Sequence, residues 1–229
     1  MPASPPDLPA SRPSLLDALA HAAPERACAA HARAGGPPPL LVDATLGNGH
    51  DAAFLLGCAP PDALLLAVDV QARAIETARP RLAAAQATRQ RQDVAVQIFC
   101  RGHEELPRIL AELPACDRQR PLLGAMFNLG WLPGGDKSCL TRTPATLAAL
   151  DFLLALLMPQ GCISLHCYTG HDGGADEEAA VLRRLAELPP RRWRVAHCRD
   201  ANRESGAGRA ESVILVERLP LSRREGTAC

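Results

Sequence analysis

The feature that most restricts the fold of this chain is its alternation of short apolar runs with helix-length segments. LLVDAT (40–45), LLLAVDV (64–70), VAVQIF (94–99), LLGAMFN (122–128) and CISLHCY (162–168) have the length and content of buried strands. The intervening segments 50–56, 71–87, 103–113 and 144–157 read as helices. Strands alternating with helices build βαβ units, and near-continuous apolar strands are those covered on both faces. The expected fold is α/β, a mostly parallel sheet with helices on both faces. A helix at 176–188 and strands at 192–198 and 212–218 complete the pattern. The last two strands can pair around loop 199–210, giving a seven-stranded sheet with an antiparallel last strand.

Ahead of the first strand, residues 14–34 place Leu15, Leu16, Leu19 and Ala22 at helical spacing, and Pro24 is suited to begin a second helix. Gly35, Gly36 and the three prolines after them end this helical layer, which is expected to cover the sheet or a cleft. Met158-Pro159-Gln160-Gly161 reads as a stop and turn before the fifth strand. The organisation expected is a disordered tail over 1–13, a helical layer over 14–36, the main domain over 37–219 and a second tail over 220–229.

Composition narrows the function classes. The chain has 229 residues, 47% hydrophobic and 22% charged, without an apolar run long enough to span a bilayer. Its start, MPASPPDLPASRPS, lacks the basic and apolar regions of a secretory signal, so a soluble cytoplasmic protein is expected, with no membrane partner. Nine scattered cysteines include no C-x-x-C pair, which points to reduced thiols and no metal site. Zero formal net charge gives no global footprint for nucleic acid, so any RNA must be met by a local patch. Arg183, Arg184, Arg191, Arg192 and Arg194 form one candidate, either a solvated face or a contact with phosphates across a homodimer.

Two motifs carry chemistry. Asp43-Ala44-Thr45-Leu46-Gly47-Asn48-Gly49-His50-Asp51 places a carboxylate near a strand end and G-x-G in the following turn, where glycine lets backbone approach a ligand. Asp69 ends the second strand, where a carboxylate can accept both hydroxyls of a ribose. Together these favour a nucleoside-containing cofactor. A dinucleotide and S-adenosyl-L-methionine both remain open, with Asp43 tipping the balance toward the latter because it would repel a pyrophosphate.

The second motif runs from Asn128 through Leu129, Gly130, Trp131, Leu132, Pro133, Gly134, Gly135, Asp136 and Lys137, beyond the carboxyl end of the fourth strand, where α/β ligands bind. Asn128 offers a neutral carbonyl acceptor to an amine, and Asp136 with Lys137 can pair or touch substrate. Trp131 is informative because the chain holds only four Phe, two Trp and one Tyr; it can stack on a base or pack in the core. His171, in the loop after Tyr168, is a candidate for substrate contact or proton transfer, whereas His166 reads as a core histidine.

DATLGNGHD, AVDVQ, RGHEEL, FNLGWLPGGDKS, TRTPAT and YTGHDGG, in this order, resemble a bacterial family once named as rRNA methylases, members of which are assigned as tRNA 5-(aminomethyl)-2-thiouridine methyltransferases of the wobble position. The resemblance covers about residues 40–218. It implies a Rossmann-like class I methyltransferase that uses S-adenosyl-L-methionine, with the tRNA anticodon loop as partner. It further implies that Asn48 and His50 hold the methionine part of the cofactor beside Asp43, Gly47 and Gly49. Asp69 and Gln71 would hold the ribose side, and Gly102 and His103 would flank the adenine. Asn128, Asp136 and His171 are then the catalytic candidates, with Leu129, Gly130, Trp131, Lys137 and Tyr168 on the substrate side. The chain departs from the family over Asn202–Arg209, on the substrate-side rim.

Overall fold

The structure, a computed structural model, describes residues 14–130, 141–202 and 211–220. Within them, β1 (Leu40–Asp43), β2 (Leu64–Val68), β3 (Ala95–Phe99), β4 (Leu122–Leu129), β5 (Leu157–Tyr168), β6 (Trp193–Arg199) and β7 (Glu211–Arg218) form one sheet ordered β3-β2-β1-β4-β5-β7-β6. The first five strands pair in parallel, and β7 runs antiparallel to both β5 and β6. The helices are α1 (Leu15–Ala34), α2 (His50–Cys58), α3 (Ala72–Arg89), α4 (Leu106–Glu112), α5 (Ala115–Arg118), α6 (Thr143–Leu156) and α7 (Gly174–Ala186), with a 3-10 turn at His103–Glu105 leading into α4.

Successive strand residues point to opposite faces, so a strand covered on both sides must be apolar at every position. In β1, Leu40 and Val42 pack with Ile109 of α4, Leu150 of α6 and Val181 of α7, while Leu41 faces Cys28 of α1, Leu55 of α2 and Ala78 of α3. Each such leucine is fully buried and contributes about 1.5–3 kcal/mol. The chain order reverses at β1, which lies between β2 and β4, and this reversal opens a crevice at the carboxyl ends of those strands.

Two local expectations are corrected. Pro24 does not begin a second helix but lies inside α1. Leu16, Ala20, Pro24, Ala27, Cys28 and His31 form one buried stripe, and this packing holds the helix continuous across the missing amide donor. A Ser14–Asp17 capping box starts the helix and Gly35, with φ 63°, ends it. Likewise Met158–Gly161 does not separate helix from strand, because β5 already begins at Leu157. The segment is an irregularity within the strand: pairing with β4 jumps from Leu122↔Leu157 to Gly124↔Cys162, and Gln160 has φ 67°. Among the described residues no helix is long and apolar enough to cross a membrane.

Candidate functional site

The glycine loop after β1 is built around two carboxylates. Asp43 is fully buried; its Oδ1 accepts from the Thr45 amide at 3.1 Å, and its Oδ2 has no hydrogen-bond partner among the described residues. Burial first, then the neighbouring carboxylates of Asp51 and Asp69, hold its carboxyl well above the ordinary range. Asp69 clasps the loop to the end of β2, its Oδ2 accepting from the Gly47 amide at 2.8 Å and its Oδ1 from the Gln71 amide at 2.9 Å. Gly49 has φ 77°, and a methyl group there would lie 2.8 Å from Ala78 Cβ, so only glycine lets the loop press against α3. On that side Arg81 donates to the Asn48 carbonyl at 2.8 Å and stands 3.3 Å from His50 Nδ1. Burial and then Arg81 lower the pKa of His50.

Asn128, near the end of β4, is held at backbone and side chain. Its amide donates to Thr45 Oγ1 at 2.6 Å, and its Nδ2 donates to Asp51 Oδ2 at 2.5 Å. The other Asp51 oxygen, Oδ1, lies 2.7 Å from Nε2 of His21, whose ring stacks on Phe54 at 3.9 Å. Burial opposes the charge of Asp51, but the hydrogen bonds from His21 and Asn128 outweigh it and bring its pKa below the ordinary carboxylate value.

The remaining wall comes from β5 and the loop beyond it. A methyl group on Gly130 would lie 3.2 Å from Tyr168 Cβ and 3.6 Å from His171 Nε2, so this loop closes directly on the end of β4. His166, in register with Asn128, is a buried histidine between Glu211 at 3.2 Å and Asp17 at 3.6 Å, with Tyr168 stacked on it at 4.5 Å. Tyr168 is 37% exposed, and burial followed by the carboxylates of Asp17, Glu211 and Asp51 raises its pKa. Leu129 points its side chain into the core and so can offer a ligand only its backbone.

A second network braces the site from behind. Buried His103 meets the edge of Phe127 and lies 3.5 Å from Thr146 Oγ1; burial lowers its pKa. The hydroxyls of Thr146 and Thr141 each donate to the buried Glu177 carboxylate at 2.6 Å, and the Thr141 amide donates to the Gly130 carbonyl at 3.2 Å. Gly130 and Thr141, on either side of segment 131–140, are thereby held together.

The structure thus gathers Asp43, Gly47, Asp69, Gln71, Asn128, Gly130, Tyr168 and His171 around the carboxyl ends of β1, β2, β4 and β5, with buried Gly102 preceding the His103 turn. Asn48 and His50 face α3 through Arg81. Trp131, Asp136 and Lys137 lie outside the described residues. Of the arginine group, Arg184 pairs with Asp151 at 2.7 Å and Arg194 approaches Glu217 at 3.9 Å, while Arg191 and Arg192 are exposed before β6. Sequence reasoning missed Thr45, Asp51 and Glu177 as parts of the site although they stood within or beside quoted motifs. It also missed His21, for which spacing gave no signal. Among the described residues no cluster of three or more His, Cys, Asp or Glu is arranged to hold a metal ion.

This strand order, with a glycine loop after β1, a carboxylate after β2 and a polar residue at the end of β4, defines the Rossmann-like methyltransferase class of fold. The chain belongs to the family described as "Putative rRNA methylase", which matches residues 65–215. A member of that description from Clostridium thermocellum superposes with a TM-score of 0.67 at 28% identity, over 79% of this chain and 89% of the other. SMU.1697c of Streptococcus mutans, solved with SAH, shares the fold with a TM-score of 0.68 at 24% identity, over 91% and 100%. The chain is also 35% identical over 158 residues to the chloroplastic tRNA (mnm(5)s(2)U34)-methyltransferase of Arabidopsis thaliana. That match takes in 67% of this chain, which spans about half the length (55%) of the relative.

Proposed function

We propose that this protein binds S-adenosyl-L-methionine and methylates the exocyclic primary amine of 5-aminomethyl-2-thiouridine at the tRNA wobble position. The observation that carries this reading is the Asn128–Asp51 hydrogen bond at the end of β4. A carboxylate only accepts, so it takes the amide NH2 and leaves the Asn128 carbonyl oxygen on the opposite side, a neutral acceptor suited to an amine. The name of the Arabidopsis relative supports the substrate, and the SAH held by the Streptococcus mutans structure supports the cofactor.

The residues present fit that cofactor. Buried Asp43 Oδ2 offers an acceptor for a cationic amino group, and Asp69 retains lone pairs for ribose hydroxyls beyond those given to Gly47 and Gln71. Asn48 and His50 would border the methionine end, while Gly102 and His103 would border the adenine. The bound cofactor supplies an electrophilic sulfonium methyl group. The Asn128 side-chain carbonyl, or the backbone carbonyl of Leu129, would accept from the N–H bonds of the substrate amine and so orient its lone pair for transfer. The amine must first lose a proton, for which His171 and Asp136 are the candidates beside solvent. Alignment provides most of the acceleration, so no cysteine nucleophile is required; burial pushes the Cys162 and Cys167 thiols up to about 12.

The wobble base lies in a single-stranded anticodon loop and can be splayed out for recognition, with Trp131 the candidate stacking residue and Gly130, Lys137 and Tyr168 candidate substrate contacts. Nucleoside mass spectrometry of tRNA from a deletion strain tests the reading. Accumulation of unmethylated 5-aminomethyl-2-thiouridine, reversed by the cloned gene, is the expected result. An unchanged tRNA profile with a methyl group lost from rRNA would replace it with rRNA methylation.

A further inference from the structure

The Asn128 amide does not hold itself in place. With its NH2 and carbonyl ends nearly equal in size, it can turn end for end and present a donor where the reaction needs an acceptor. The orientation is set by Asp51 Oδ2 at 2.5 Å, 77 residues away in the chain, and the Thr45 hydroxyl fixes only the backbone of Asn128. Asp51 is in turn engaged from its other side by His21 of α1 at 2.7 Å. The side chains of Asp51 and His21 retain 16% and 31% of their exposure, so the pair is largely withdrawn from water. Stacking on Phe54 sets the plane of the His21 ring. Asp51 also lies in the first turn of α2, where the helix dipole favours its charge.

We propose that Asp51, supported by His21, is the positioning residue that selects the working orientation of Asn128, so that α1 forms part of the active centre although it lies ahead of the family match at 65–215. The inference rests on the methyl-transfer reading above for its consequence in turnover, but the orientation itself can be observed without turnover. Asp51 acts through Asn128 and exchanges no proton with substrate. Both its carboxylate oxygens are engaged within the protein, Oδ2 by Asn128 and Oδ1 by His21.

The test combines spectroscopy and kinetics on the full chain. In isotope-labelled protein, the Asn128 side-chain NH2 resonances, assigned by their loss in Asn128→Ala, should be shifted by the carboxylate. They should move toward free-amide positions in Asp51→Ala, move partly in Asp51→Asn, whose neutral carbonyl can still accept from Asn128, and in His21→Ala, and stay in His21→Gln, whose amide can still donate to Asp51 Oδ1. In methylation of tRNA bearing the aminomethyl base, Asp51→Ala should lower kcat by about 10- to 100-fold, the scale of a misaligned reacting group, with KM for the cofactor little changed. The Asp51→Ala, Asn128→Ala double variant should be no slower than Asn128→Ala alone, and His21→Gln should restore most of what His21→Ala loses. Losses that multiply in the double variant, or Asn128 resonances indifferent to both Asp51 substitutions, overturn the proposal. Should Asp51→Ala not fold, Asp51→Asn and the His21 pair carry the same comparison. If the parent protein binds cofactor yet methylates no such tRNA, the function proposed above fails while the resonances still decide the orientation.

Discussion

Replacing Asp43 by asparagine should move stability and cofactor affinity in opposite directions. The side chain is fully buried, with one oxygen bonded to the Thr45 amide and Oδ2 without a partner among the described residues. Burial and the charges of Asp51 and Asp69 oppose a carboxylate here, and asparagine removes that opposition while keeping an acceptor for the Thr45 amide. In the protein without cofactor, Asp43→Asn should therefore keep or raise the melting temperature. A hydrogen bond to a charged group contributes about 1.5–3 kcal/mol, so the lost contact to the cofactor amino group should weaken binding roughly 10- to 150-fold. The pH dependence has a definite sign. Because the folded pKa of Asp43 is raised, its contribution to stability is fully present below the unfolded value of about 4 and is lost as pH rises through the folded one. A bound cation favours the carboxylate, so affinity should rise with pH over that same window, with proton release, and Asp43→Asn should remove the slope. Titration calorimetry in buffers of different ionisation enthalpy, kept below about pH 7 because an α-amino group titrates near 8, measures both effects. Unchanged affinity in a folded variant, or a fold weakened by several kcal/mol, refutes the reasoning.

Asp69→Ala removes the clasp on Gly47 and Gln71 as well as the ribose acceptor, so calorimetry should show a loss of a few kcal/mol in cofactor binding together with a lower melting temperature. Asn128→Ala should lower single-turnover methylation while leaving cofactor affinity nearly intact; Asn128→Asp is a poorer probe, because two carboxylates beside each other must share a proton. Trp131→Ala should weaken tRNA binding by about 1–3 kcal/mol for each stacked base, measured by fluorescence titration, with cofactor binding unaltered.

The central sheet was legible because both-sided burial leaves a direct mark: β1, β2 and β4 are apolar at almost every position. Asp43, Asp69 and Asn128 were legible for a related reason, being polar residues at the ends of such runs. Pro24 and Met158–Gly161 misled because local propensity was overruled, in one case by the buried stripe of α1 and in the other by β4 pairing through an irregular strand. The contacts His21–Asp51–Asn128 and His103–Thr146–Glu177 join residues 30 to 77 positions apart, which neither helical nor strand periodicity can report. Their members were visible only as single polar residues until the packing of α1, α6 and α7 brought them together.

The most direct measurement is methyl transfer by the purified protein from labelled S-adenosyl-L-methionine to an anticodon stem-loop carrying 5-aminomethyl-2-thiouridine at the wobble position, with the product nucleoside identified by mass spectrometry. The account predicts one methyl group on the side-chain nitrogen of that base, and none on a stem-loop with unmodified uridine there. Methylation of both stem-loops alike, or of rRNA fragments in preference to either, would contradict it.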